Sequence, residues 1–137
     1  MEPENVLYGS VQLVHNFGAV AVTGLPIAAL WFKPAPPILR AMAWFILLAW
    51  LLQAASGFGF GTVSYFMEGE LPQIHHLALG ALCVKIACAL LAITLLAFRF
   101  ATHTAVPGPG PDQRLWAALA VLGVTALTSA AVLRWFS

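Results

Sequence analysis

Four apolar stretches, cut from one another by proline and glycine, set the terms on which this chain can fold. They run over residues 6–32, 38–63, 72–98 and 115–135. Each is at least as long as the roughly 20 helical residues that cross about 30 Å of hydrocarbon. The separators are KPAPP at 33–37, EGELP at 68–72 and THTAVPGPGPDQ at 102–113, compositions that interrupt helices. Lipid offers no hydrogen bonds to an open backbone, so helices are the secondary structure these stretches can adopt there. Only 8% of the 137 residues are charged and 61% are hydrophobic. A soluble domain carries about 25% charged residues, so the polar coat of a water-soluble globule is missing. The expectation is an all-α, polytopic membrane protein: a single transmembrane domain over 1–137, built as a four-helix bundle in the lipid bilayer.

Charge placement orients that bundle. Lys33, Arg40, Arg99 and Arg114 flank the first and third breaks, with Asp112 as the one acid there. The other end carries Glu2, Glu4, Glu68 and Glu70, with Arg134 as the one base. Basic residues stay on the cytoplasmic side, which places both termini in the periplasm of a bacterial inner membrane. The segment MEPENVLYGS lacks the basic start of a secretory signal, so the first stretch is expected to be a retained helix. Trp31, Trp44, Trp116 and Trp135 fall near the predicted interfaces, as an aromatic belt would. Nothing in the composition points to nucleic acid. Cys83 and Cys88 share one apolar stretch and read as small core residues.

Polar residues recur at one depth. At 1.5 Å per residue, His15, Gln53, Ser56, Lys85 and Thr128 all fall about 20–27 Å from the basic end of their own helices. One stripe of the first helix holds Tyr8, Gln12, His15, Ala19 and Thr23, whereas Leu13 and Phe17 lie off it. Small and polar residues on a membrane helix face its neighbours, so His15 is expected to point inward. The third helix has two opposed faces of that kind: His76, Gly80, Cys83, Ala87 and Thr94 on one side, Lys85 with Ala81, Cys88 and Ala92 on the other. Both cannot look into one four-helix interior, so an oligomer contact or a larger complex is one way to cover the second. Gly18, Gly57 and Gly80 are expected to leave space beside the polar layer as the wall of a cavity.

Imidazole binds metals and relays protons, which makes His15 the first candidate for chemistry. His75 and His76 begin the third helix at the acidic end, near Met67, Glu68 and Glu70. A metal site there would rest on His15, His76 and His75, with Met67 as an outer ligand. Copper suits imidazole ligands, and haem iron takes axial histidines. His76 lies about two helical turns from the level of His15, an awkward offset for two axial ligands of one haem. His103 reads as a headgroup residue on the basic side.

The segments QLVHNFGAVAVTGLPIAALWF, RAMAWFILLAWLLQAASG and LGALCVKIACALLAITLLAF resemble the first three helices of the copper resistance D (CopD) family. The matching landmarks are His15, Gly57 and Lys85. The resemblance spans all four helices and implies an inner-membrane protein connected with moving copper from periplasm toward cytoplasm. This chain has the four-helix module where longer family members have more helices, which leaves room for a homo-oligomer or a partner subunit. Three functional readings stand: copper handling at an outward-facing histidine site, a haem b electron-transfer subunit of a respiratory complex, and a structural accessory subunit. No hydrolytic or transferase constellation is visible, so no enzyme activity is expected.

Overall fold

The computed structural model describes residues 3–68, 76–102 and 109–136, with side chains described over 6–7, 9–59, 77–102 and 113–135. Four helices account for nearly all of it: α1 (Pro3–Phe32), α2 (Pro36–Glu68), α3 (His76–Thr102) and α4 (Pro109–Phe136). Each contains a span long and apolar enough to cross a membrane, at Gly9–Phe32, Pro36–Gly59, Leu77–Thr102 and Gln113–Trp135. The protein is therefore an all-α, multi-pass membrane protein.

The breaks are shorter than composition suggests, because proline ends one helix and starts the next. Lys33 takes a left-handed backbone (φ 45°) and its N–H closes back on Ala29 O at 3.1 Å, which ends α1. Pro34 cannot continue the helix. Pro36 and Pro37 then supply the first turn of α2, where a missing N–H costs nothing. The same logic moves the start of α4 into the expected loop: Pro109 and Pro111 lie in its first turn. The third helix, expected from residue 72, is described from His76; 69–75 lie outside the described residues.

Around the bundle, α1 packs on α2 and α4, and α3 packs on α2 and α4. Helices α1 and α3 therefore stand on a diagonal. A core of Ala29, Ala43, Ile46, Cys88, Ala92, Leu96, Trp116 and Leu119 fills the half of the bundle toward Lys33 and Arg40. Trp116 is buried in this core, which corrects its assignment to an interfacial belt. Its indole fills a gap beside Leu119, whereas Trp31 and Trp135 are exposed at helix ends. Trp44 stacks on Phe100 with ring centroids 4.2 Å apart and ties α2 to α3 near the basic end. Outward-facing side chains are large and apolar: Leu13 and Phe17, for instance, are 59% and 70% exposed, the surface lipid would cover.

One crossing organises the other half. Pro26 is fully buried inside α1 and has no N–H to offer the carbonyl of Val22, four residues earlier. Gly123 of α4 packs against that same carbonyl: a Cβ built on it would sit 2.5 Å from Val22 O. Only a glycine lets the two backbones approach this closely. The contact pins α1 to α4 at this level.

Candidate functional site: a polar floor under a one-sided cleft

Four residues from three helices meet above the apolar core. His15 Nδ1 lies 2.6 Å from Ser56 Oγ, and His15 Nε2 lies 2.9 Å from Lys85 Nζ. Gln53 donates from Nε2 to the backbone carbonyl of His15. Ser56 Oγ also lies 2.7 Å from Leu52 O, to which it donates its single proton. It then accepts from His15 Nδ1–H, and the Nε2 lone pair is left to accept from the Lys85 amine. Every bond in this set is consistent with one histidine tautomer.

The sequence places these side chains for local reasons. Gln53 and Ser56 are three apart on α2 and share its inner face, where both are buried. Gly18 makes room for Gln53: a Cβ at this position would meet Gln53 Nε2 at 2.5 Å. Lys85 emerges from the face of α3 that carries the buried Ala78, Cys88 and Ala92, so the lysine face is the inner one. The opposing face turns outward, with Gly80, Cys83, Ala87 and Thr94 less buried than these.

Beside this floor a cleft of about 960 Å³ opens between α1 and α4. Gln12, His15, Asn16, Ala19 and Thr23 line it from α1, and Gly123, Ala126, Ala130 and Arg134 from α4. Trp50, Gln53 and Lys85 form its back wall. The polar stripe anticipated on the first helix is thus its cleft face. The lining of the cleft runs from Gln12 and Arg134 to Val22 and Gly123, the pair in backbone contact. Among the described residues, Lys85 and Arg134 are the only charged ones that line it.

Two buried polar atoms on the cleft wall have no hydrogen-bond partner among the described residues: Trp50 Nε1 and Thr23 Oγ1. Trp50 is 2% exposed, so its indole N–H is withheld from bulk solvent.

Several expected site residues fall elsewhere. Thr128 is exposed, donates to Val124 O of its own helix at 2.9 Å, and faces a separate groove of about 680 Å³ between α3 and α4. Gly80 lines that second groove rather than the cleft. Gly57 is exposed, a Cβ added to it would have nothing within 4 Å, and it lines neither the cleft nor this groove. Gly18 seats Gln53 instead of leaving space. Gln12 lies at the cleft mouth, where its Nε2 donates to Asn16 Oδ1 at 2.9 Å. His75 lies outside the described residues, and so do the side chains of Met67 and His76.

The floor is not arranged as a ligand set. No three His, Cys, Asp or Glu side chains gather into a metal-binding group among the described residues. His15 is the one imidazole on the cleft among the described residues, and its Nε2 faces Lys85. Trp50, Asn16, Gly123 and Arg134 join the site without being expected there. Trp50 was findable, since it precedes Gln53 by three residues and so shares its face. Comparison with protein families, curated proteins and solved structures finds no match to this chain.

Proposed function

We propose that the protein binds a small ligand within the membrane, in the cleft between α1 and α4, with the His15–Lys85–Ser56 cluster as the polar floor of the site. The observation that carries this reading is the one-sidedness of the cleft. Its lining runs from Gln12 and Arg134, on the side of the chain termini, to Val22 and Gly123, whose backbones meet there. Beyond that stop, Ile46, Ala92, Leu96 and Leu119 are fully buried and leave no polar path toward Lys33 and Arg40 among the described residues. Such a geometry suits a receptor, a carrier subunit or a membrane-complex subunit, and it is wrong for an open channel. The charge asymmetry supports placing the open end at the periplasmic face of a bacterial inner membrane.

The test is one-sided accessibility. In a background of Cys83→Ser and Cys88→Ala, Ala130→Cys should react with a membrane-impermeant maleimide added on the side of the termini. Ala43→Cys, in the apolar plug, should react from neither side. Labelling of Ala43→Cys at the rate of Ala130→Cys would mean a water path through the bundle and would remove this reading. An unreactive Ala130→Cys would favour a purely structural subunit.

A second reading takes copper as cargo. One observation favours it: His15 and Lys85, two landmarks of the CopD resemblance, are 70 residues apart in sequence and meet in space. The metal would take Nε2 only after Lys85 withdraws. Near-stoichiometric copper in purified protein that is lost in His15→Ala would make this the better reading.

A further inference from the structure

We infer that the ligand of this cleft is an anionic amphiphile, a monocarboxylate on an apolar body, with Lys85 as its counter-charge. The inference rests on the proposed cleft and names what the cleft is built to hold.

The electrostatics are the first argument. Lys85 and Arg134 line the cleft, and among the described residues no carboxylate accompanies them on its walls. The acids on the helices that carry His15 and Ser56 are Glu4 and Glu68, 11 and 12 residues away. At 1.5 Å per residue these are about 16–18 Å along the axes, too far for a direct ion pair with the cluster. Among the described residues Lys85 Nζ has one hydrogen-bond partner, His15 Nε2, although an ammonium offers three donors. An intramembrane lysine is costly unless paired or hydrated, and no described carboxylate pairs with this one. A cationic ligand would add to that cost. A carboxylate would remove it.

Donor chemistry is the second, independent argument. Trp50 lines the cleft, and its buried Nε1–H has no partner among the described residues. An indole N–H only donates, so its partner must bring a lone pair. Thr23, on the facing helix, also lines the cleft and has a buried hydroxyl with no partner among the described residues. A carboxylate has two oxygens with which to accept from such donors.

Depth and lining decide between carboxylate and phospholipid phosphate. Lys85 is eight residues beyond Leu77, where the described part of its span begins, so it lies about 12 Å or more inside that span. A headgroup phosphate anchored at the interface does not reach that level, whereas a fatty carboxylate can descend into the cleft. Ala19, Ala126 and Ala130 line the walls and leave apolar room for a chain or ring.

The experiment titrates [1-13C]decanoate into the full-length protein in uncharged detergent micelles, with empty micelles as blank and methyl decanoate as competitor. A saturable shift of the carboxyl resonance at one site per chain, not displaced by methyl decanoate, is expected. Lys85→Met should weaken binding about tenfold or more, the worth of a hydrogen bond to a charged group, and Lys85→Arg should restore most of it. Arg134→Gln, at the exposed mouth, gives a second readout that does not depend on the packed interior and should weaken binding about threefold. Equal affinity for the ester, or unchanged decanoate binding in both Lys85→Met and Arg134→Gln, overturns the inference. If decanoate fails to bind while Ala130→Cys is still labelled from one side, the anion is wrong and the cleft stands. If Ala130→Cys is unreactive, the cleft itself is wrong.

Discussion

His15 and Lys85 join two helices that, among the described residues, do not pack on each other. Helix α1 touches α2 and α4, α3 touches the same two, and the 2.9 Å contact between His15 Nε2 and Lys85 Nζ spans the diagonal. Apolar packing between adjacent helices is tolerant of small rotations. A directional bond across the diagonal fixes the rotational setting of α1 and α3 together, and with Ser56 on His15 Nδ1 it fixes α2 as well. The same three residues form the floor of the cleft, so whatever sets the helix register also shapes the site.

That bond should be measurable as a coupling. Interhelical hydrogen bonds in membranes are worth about 0.6 kcal/mol on average and at most about 1.7 kcal/mol. His15→Phe and Lys85→Met should each destabilise the bundle, and the double variant should lose less than the sum by an amount in that range. A double-mutant cycle on reversible unfolding in mixed micelles checks it. Strict additivity would mean that the two side chains do not meet.

Glycine substitutions should separate by position. A Cβ at Gly123 would sit 2.5 Å from the Val22 carbonyl and 3.1 Å from Thr23 Cα, both backbone atoms that cannot swing aside. Gly123→Ala should cost about 1–3 kcal/mol, the usual range for overpacking. At Gly18 the obstacle is the Gln53 amide, a side chain that can rotate away at the loss of its bond to His15 O. Gly18→Ala should therefore cost less than Gly123→Ala. Gly57→Ala meets nothing within 4 Å and should be neutral or stabilising by up to about 1 kcal/mol through helix propensity. Thermal denaturation of the three variants orders them.

Helical phase makes part of this site readable in advance. The stripe Gln12–His15–Ala19–Thr23 is the cleft face of α1 because a 3.6-residue period allows no other grouping. Phase cannot choose between the two faces of α3, since both are small and polar. Packing makes the choice, with Ala78, Cys88 and Ala92 turned inward beside Lys85. Depth alone misassigns Thr128, which shares the level of the cluster but faces the α3–α4 groove. The cleft itself depends on a contact between Val22, four residues before a buried proline, and a lone glycine of α4. Neither residue signals that pairing by its own neighbours in sequence.

Thr128 supplies a control for the polar layer. Its hydroxyl is exposed and bonds within its own helix to Val124 O. Thr128→Val keeps the shape and removes only that local bond, so stability should stay within about 0.5 kcal/mol. Decanoate affinity should be unchanged. A large loss of binding in Thr128→Val would place the ligand in the α3–α4 groove instead of the cleft.

Trp50 gives the sharpest contrast between a structural residue and a binding one. Its ring is buried in the core, so a smaller aromatic in its place should lose some packing. Its Nε1–H, however, has no partner among the described residues. An unsatisfied buried donor costs about 1–3 kcal/mol, and Trp50→Phe removes that donor together with part of the ring. The two effects oppose each other, so the ligand-free variant should unfold within about 1 kcal/mol of the parent, against about 3–5 kcal/mol for truncation of a buried tryptophan to alanine. In the presence of decanoate the donor is used, and the variant should bind about threefold to tenfold more weakly. Near-neutral stability with weakened binding is the pattern of a donor held in reserve for a ligand. Equal binding by parent and variant would leave the indole N–H without a role in the cleft and would move the ligand's oxygens away from the back wall.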